Sequence, residues 1–222
     1  YRAIHNGSAP GHRVTDELGV RFETERVSVK PYPSGRLIHP AVAAGRSVHD
    51  FLGSTPPRGA RIVVQTTSIV YNTVVRNKTE PPIDHIGAQF SLPYSLALSL
   101  AGIEPEMCTM LEPEKYCNED VRCILSSLEF EPYDQPSSNH QVTPVRVVVL
   151  DEGGREIASV TGDVRGANES EIRRKFVANV ALSGISAASA DRMWTLLLNL
   201  DAASHDDLDT FYGMLYREVA TA

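Results

Sequence analysis

The feature that most limits the fold of this chain is a change of hydrophobic pattern near residue 162. Before it, segments with alternating or β-branched residues predict strands at 20–29, 61–75, 142–150 and 155–161. The same region has helical spacing at 40–52, 84–101 and 118–127. After it, only helical patterns remain, at 168–182, 187–199 and 205–220. Mixed elements followed by helices alone predict an α+β unit with a helical tail.

We expect the strands to form one mixed or antiparallel sheet, with helices 40–52 and 84–101 packed on it. A Gly-Gly turn between the last two strands predicts a hairpin. Pro93 predicts a kink or a late start in helix 84–101. The tail has more apolar surface than three helices can bury, so we expect an exposed or shared face around Trp194 and Leu197.

Charge and composition exclude some classes of protein. The 222 residues have a net charge of −7 and no basic stripe, which argues against binding of nucleic acid. No apolar run reaches the ~20 residues of a membrane helix, and no signal-peptide pattern follows Tyr1, although the missing initiator methionine points to residues upstream. Cys108, Cys117 and Cys123 fit no zinc or iron–sulfur spacing and indicate buried thiols in a reducing compartment.

The segment 30–40 concentrates positive charge in this acidic chain. Lys30, Arg36 and His39 lie within ten residues on a proline-rich loop that runs into a helix starting near Pro40. A helix N-terminus favours an anion, and arginine can bind a carboxylate with two parallel hydrogen bonds. Histidine can transfer a proton near neutral pH. Spacing alone leaves a second interpretation open, in which the two cations are solvated and the histidine caps the helix.

The same segment carries a resemblance to a known family. Its Lys-Pro-Tyr-Pro-Ser-Gly-Arg-Leu-Ile-His-Pro-Ala sequence resembles the MmgE/PrpD signature, a Lys-x-Tyr-Pro loop that runs into a His-Pro-Ala helix. Three further stretches agree in order and spacing: Gln-Phe-Ser-Leu-Pro-Tyr at 89–94, the hairpin at 145–161, and Gly-Ala-Asn at 166–168 followed by Lys175-Phe176. Over most of residues 18–216 the chain resembles the C-terminal half of an MmgE/PrpD protein.

The resemblance implies a division of the chain. The family joins a large helical domain to a smaller α+β lid domain, with the active site between them. Residues 1–17 would then end the helical domain, 18–162 would form the lid, and 163–222 would return to the helical domain. The missing helical part would lie upstream of Tyr1 or on another chain, and the resemblance implies a cytoplasmic homodimer.

The resemblance also implies a chemistry. The family includes 2-methylcitrate dehydratase, cis-aconitate decarboxylase and iminodisuccinate epimerase, which use no cofactor or metal. This chain would then be a lyase or isomerase that abstracts a proton next to a carboxylate of a small di- or tricarboxylic acid, with dehydration or hydration favoured. Decarboxylase and epimerase activities remain alternatives, as does a non-catalytic lid-like subunit that works with a separate helical chain.

Site residues follow from matching the signature. Lys30 would hold a substrate carboxylate together with Arg36, and His39 would bind substrate or move a proton. Tyr71 falls near an active-site tyrosine of the decarboxylase branch, although it could equally pack on one face of the sheet. Where that branch has a histidine after the lysine, this chain has Ser34-Gly35, which argues against decarboxylation.

Overall fold

The computed structural model describes residues 19–20, 22, 27–77, 80–134, 143–163 and 166–219. Segment 1–17 and most of the predicted strand 20–29 lie outside these residues. Where that strand is described, the prediction is wrong, because residues 27–29 are exposed and join no sheet. Their main chain is instead bonded to the start of the tail, as at Val29, whose carbonyl accepts from the Ala167 N–H at 2.9 Å.

The sheet is mixed, one of the two forms predicted, and has the strand order β2-β1-β3-β4. Its strands are β1 (Arg61–Thr67), β2 (Leu128–Tyr133), β3 (Val145–Leu150) and β4 (Glu156–Gly162). β1 is parallel to β2 and antiparallel to β3, and β3 and β4 form the predicted hairpin. β2 was not predicted, because its six residues follow a helix without a break and include Pro132, which is tolerated at a sheet edge.

Seven helices belong to the described part of the α+β unit and three to the tail. The first seven are α1 (His39–Leu52), α2 (Ser68–Val70, continuing as a π-helical turn Tyr71–Val75), α3 (His85–Gln89), α4 (Leu92–Leu100), α5 (Met107–Leu111), α6 (Pro113–Tyr116) and α7 (Glu119–Ser127). The tail helices are α8 (Glu169–Ala181), α9 (Ala187–Leu198) and α10 (His205–Val219). The α+β class with a helical tail is therefore confirmed.

The predicted strand 61–75 is wrong in its second half, which is helical. The Thr67 side chain accepts a hydrogen bond from the Val70 N–H and so caps the new helix. Val70, Val74 and Val75 are buried, so these β-branched residues fill one helical face. Burial of that face outweighs a strand preference of about 1 kcal/mol or less per residue.

The predicted helix 84–101 is two helices, with the break at Phe90 and Ser91. Ser91 Oγ accepts from the Tyr94 N–H at 3.2 Å, and Pro93 occupies the first turn of α4. Proline fits there because its missing N–H would have no partner in the helix. Of the two outcomes that Pro93 left open, the late start is the one found.

The core lies between the sheet and the helices on one of its faces. α1 packs against β3 and β4, while α4, with every residue buried, packs against α1 and α7. At Gly45 an added Cβ would lie 2.9 Å from the Leu96 Cδ1, so α1 and α4 touch closely there. The opposite face of the sheet is polar, as in the bidentate pair of Arg61 with Glu129.

The tail helices pack mainly in sequence order, α8 on α9 and α9 on α10. The Phe176 and Trp194 rings meet at 5.6 Å between centroids and leave Trp194 half-buried. Leu197 and Leu198 are 38% and 55% exposed. The exposed apolar face expected near Leu197 is therefore present.

The predictions about composition have mixed outcomes. All three cysteines are free thiols, but only Cys117 is buried, while Cys108 and Cys123 are half-buried. Within the described ranges, no helix combines the length and apolar character that crossing a bilayer requires.

Candidate active site

A cavity of about 210 Å³ lies where the proline-rich loop meets α1. It is lined by Ser28, Val29, Lys30, Arg36 and His39. Three of these five residues are basic and none is acidic. The structure thus brings Lys30, Arg36 and His39 to a single cavity.

Buried anchors on either side fix the loop that forms this cavity. The Gly35 N–H donates to the Gln89 carbonyl at 2.9 Å, and Tyr32 is buried beneath the loop. A 3₁₀ turn, Arg36–Ile38, then leads directly into α1, with Ile38 fully buried. These anchors leave little freedom for the side chains that follow them.

His39 is the first residue of α1 and is only 3% exposed. Its ring meets the Tyr32 ring edge-on, with 5.4 Å between centroids. Its Nε2 lies 3.3 Å from the Ser34 carbonyl oxygen. A carbonyl can only accept, so Nε2 carries the hydrogen and Nδ1 carries the lone pair of the neutral ring.

The Ser34 carbonyl oxygen also accepts a hydrogen bond from Lys30 Nζ, again at 3.3 Å. One main-chain atom therefore orients both the lysine and the histidine. Ser34 and Gly35 take the place of the histidine of the decarboxylase branch. The Ser34 Oγ is buried, with no partner in the described part of the chain.

The electrostatics keep His39 neutral at physiological pH. The pKa of His39 is lowered to about 4, chiefly by burial. The hydrogen bond with the Ser34 carbonyl raises it in part, and the charges of Lys30, Lys175 and Arg36 lower it further. Within the described ranges, neither Lys30 nor Arg36 forms an ion pair with a carboxylate. As far as the described residues show, the cavity therefore offers positive charge to an anion.

The first turn of α1 is placed by an unusually close approach of the sheet. A Cβ added at Gly162, the last residue of β4, would lie 1.9 Å from the Pro40 carbonyl oxygen. No side chain can be accommodated at that distance, so the glycine is needed for α1 to sit against β4. Its position determines where His39 enters the cavity.

The C-terminal domain of the MmgE/PrpD family matches residues 32–201. This match spans the loop after Pro31, the whole sheet and the tail through α9. It covers well over half of the 222 residues. The chain belongs to the MmgE/PrpD family. No curated protein matches the chain. Members of this family are generally enzymes, with dehydratase or other lyase activity.

Lys175 is a residue near the MmgE/PrpD loop to which sequence reasoning gave no role. It lies on α8, and its Nζ donates to the Lys30 carbonyl oxygen at 2.9 Å although 145 residues separate the two. Burial lowers the pKa of Lys175, and the charge of Lys30 lowers it further. No spacing rule links two residues so far apart, and Lys175 served only as a marker of the family resemblance.

Tyr71 is not among the residues that line the cavity. It begins the π-helical turn after β1, half-buried, with its ring centroid 6.5 Å from that of Phe130. This is the packing position that the sequence left open as an alternative for Tyr71.

Two clefts elsewhere are larger, about 390 and 480 Å³, but their charges are mixed. In the first, Arg58 is bonded to Glu119 at 2.9 Å and lies 3.7 Å from Asp120. In the second, the charged residues among the described lining are Glu80 and Arg122. Among the described residues, neither cleft combines unpaired cations with a histidine, so the smaller cavity is the better candidate for an anionic ligand.

Proposed function

We propose that this chain provides one wall of the active site of a lyase or isomerase for small di- or tricarboxylic acids. The observation that carries the proposal is the cavity in which Lys30, Arg36 and His39 converge, with no acidic side chain among the described residues that line it. The reaction begins with abstraction of a proton from the carbon next to a substrate carboxylate and requires no cofactor or metal.

In this proposal Lys30 and Arg36 hold the carboxylates. Lys30 supplies a compact charge with three donors, and the guanidinium of Arg36 can donate two parallel hydrogen bonds to one carboxylate. Arg36 is exposed, which leaves its donors available to a ligand. A substrate with two or three carboxylates can engage both cations at once.

His39 is the proposed base. Its Nδ1 takes the proton, the C–H electron pair moves into the carbon next to the carboxylate, and the two cations stabilise the negative charge that develops there. In a dehydration, the neighbouring hydroxyl then takes that proton back from His39 and leaves as water, while the electron pair forms the double bond. The bound carboxylates also offset part of the positive charge that lowers the pKa of His39, so the imidazole becomes a stronger base once substrate is present.

The same carbanion would serve two outcomes: loss of the neighbouring hydroxyl as water gives dehydration, and return of the proton to the other face gives epimerisation. In a decarboxylation, the departing carbon dioxide would itself leave an electron pair on carbon, and the site would have to deliver a proton to it. Dehydration, or its reverse, is the form we favour, and Ser34-Gly35 in place of a histidine argues against decarboxylation. Tyr71 has no role in this proposal.

The remainder of the site is proposed to come from a helical domain, upstream in the same protein or on another chain. Residues 18–162 act as the lid, and 163–222 join the helical domain, in a homodimer that works in the cytoplasm. Support comes from apolar side chains that the tail leaves half exposed or more: Leu182, Leu198, Leu200, Tyr212 and Tyr216. Three free thiols suit a reducing compartment.

A non-catalytic, lid-like subunit is the second candidate. It is favoured by one observation: among the described residues lining the cavity, His39 is the only group suited to proton transfer near neutral pH. Such a subunit would bind carboxylates through Lys30 but turn nothing over without its helical partner.

Assay of the complete protein against 2-methylcitrate, cis-aconitate and iminodisuccinate separates the two candidates. Turnover of one of these acids, with no added metal or cofactor, is the expected result. Binding of these acids without turnover would support the partner subunit, and neither binding nor turnover would refute both.

A further inference from the structure

The wall of the cavity formed by residues 28–30 is held from the tail. The Ala167 N–H donates to the Val29 carbonyl oxygen at 2.9 Å. A Cβ added at Gly166 would lie 3.0 Å from the Ser28 Cβ, so the two main chains are in close contact. Because residues 28–30 are exposed and join no strand, these contacts with the start of the tail determine their position.

Lys175 on α8 makes a further contact between the tail and this wall of the cavity, and this contact is the one nearest to His39. Its Nζ donates to the Lys30 carbonyl oxygen at 2.9 Å, and Lys30 Nζ in turn donates to the Ser34 carbonyl oxygen at 3.3 Å. The same Ser34 oxygen accepts from His39. Lys30 therefore connects α8 to the imidazole: its main-chain oxygen is bonded to Lys175, and its side chain shares the Ser34 acceptor with His39.

We propose that Lys175 is a positioning residue of this site, whose ammonium fixes the main chain at Lys30 and so directs the Lys30 side chain into the cavity. Its effect on ligand binding rests on the function proposed above. Its effect on the cavity itself does not, because the hydrogen bond and the charge are present without a ligand.

The charge of Lys175 also contributes to the field around His39. The charged groups that act on the imidazole are Lys30 on the loop, Arg36 on the turn before α1 and Lys175 on α8, and all three lower its pKa. Removal of the Lys175 charge should therefore raise the pKa of His39 towards its ordinary value of 6.5.

The test compares three variants of the complete protein. Lys175→Met removes the ammonium and keeps most of the stem, while Lys175→Arg keeps a cationic donor. Arg174→Gln is the matched control, because it breaks the ion pair of the neighbouring residue with Glu104, a separate link between α8 and the α+β unit. Thermal melts check folding, and Lys175→Gln replaces the methionine variant if that one does not fold.

Two readouts are needed. An NMR pH titration of histidine-labelled protein follows the His39 imidazole, whose signal is assigned by its absence in His39→Gln. Calorimetry with citrate as the probe measures anion binding. Lys175→Met should raise the pKa of His39 and weaken citrate binding about tenfold, whereas Lys175→Arg should restore both and Arg174→Gln should change neither. In the Lys30→Met protein, the further substitution Lys175→Met should weaken citrate binding only slightly, because Lys175 acts on the ligand through Lys30.

An unchanged His39 titration in folded Lys175→Met protein would overturn the proposal. An equal shift in Arg174→Gln would also overturn it, since the effect would then come from general loosening of α8. Failure of the wild-type protein to bind citrate would count against the proposed function instead, while the titration would still decide the role of Lys175.

Discussion

Lys30 and His39 donate hydrogen bonds to the same atom, the Ser34 carbonyl oxygen, each at 3.3 Å. The shared acceptor couples a cation that can hold a carboxylate to an imidazole that can accept a proton. It also fixes which imidazole nitrogen carries the lone pair.

Replacement of Lys30 should weaken carboxylate binding. Lys30→Met removes a charge-assisted hydrogen bond to the ligand, a loss of roughly 1.5–3 kcal/mol, or about 10- to 150-fold in affinity. Calorimetry with citrate measures the effect. Arg155→Met is the control, because it removes a cation that is paired with Asp151 in the hairpin turn. Equal losses in the two variants would indicate non-specific attraction rather than a site.

The low pKa of His39 should make the protein less stable in mild acid. The unfolded state takes up a proton near pH 6.5, whereas the folded state does so only near pH 4. Stability from this group is therefore full above pH 6.5 and is lost as the pH falls to 4, by about 2–3 kcal/mol. Urea unfolding at pH 7 and pH 4.5 should show a smaller difference for His39→Gln than for the wild type. Identical differences would place the pKa of His39 near its ordinary value.

Adding a side chain at position 162 should disturb the cavity, although Gly162 is not among the residues that line it. Gly162→Ala places a methyl group against the Pro40 carbonyl, so α1 must move away from β4. We expect a loss of about 1–3 kcal/mol in the free energy of unfolding, together with weaker citrate binding. Gly153→Ala, in the exposed hairpin turn, should change stability by about 0.5 kcal/mol or less. A fully stable Gly162→Ala protein would contradict the close packing described here.

Loss of the Tyr71 hydroxyl should not affect catalysis. Tyr71→Phe keeps the ring beside Phe130 and removes only the phenolic oxygen, which has no part in the proposed mechanism. Steady-state kinetics of the complete protein should give a kcat within about twofold of the wild type, since general acid–base groups contribute about 10²–10⁴-fold. A fall of about a hundredfold would return Tyr71 to the catalytic residues.

Local signals in the sequence were sufficient for some elements of this fold. Pro40 marks the start of α1, and the helical pattern that begins at residue 168 marks α8, which Asn168 caps with its side chain. Clustering of Lys30, Arg36 and His39 within ten residues was sufficient to single out the segment that lines the cavity. In each case the residues that determine the structure are close together in the chain.

Elements fixed by distant contacts were not predictable in the same way. The β-branched residues of 68–75 form a helix because Val70 and Val74 fill the core, which no local preference reveals. β2 depends on parallel pairing with β1, a partner more than sixty residues away. The link from Lys175 to Lys30 is of the same kind, since it exists only once α8 has docked on the loop.

Exchange of the substrate proton tests the central claim most directly, because dehydration and epimerisation would both begin with the same abstraction. The complete protein is incubated in D₂O with 2-methylcitrate, cis-aconitate or iminodisuccinate, and deuterium at the carbon next to the carboxylate is followed by NMR. The wild type should incorporate deuterium into at least one of these acids, and folded His39→Gln should do so about 10²–10⁴-fold more slowly. Equal rates in the two proteins, or no exchange by the wild type with any of the three acids, would contradict the account.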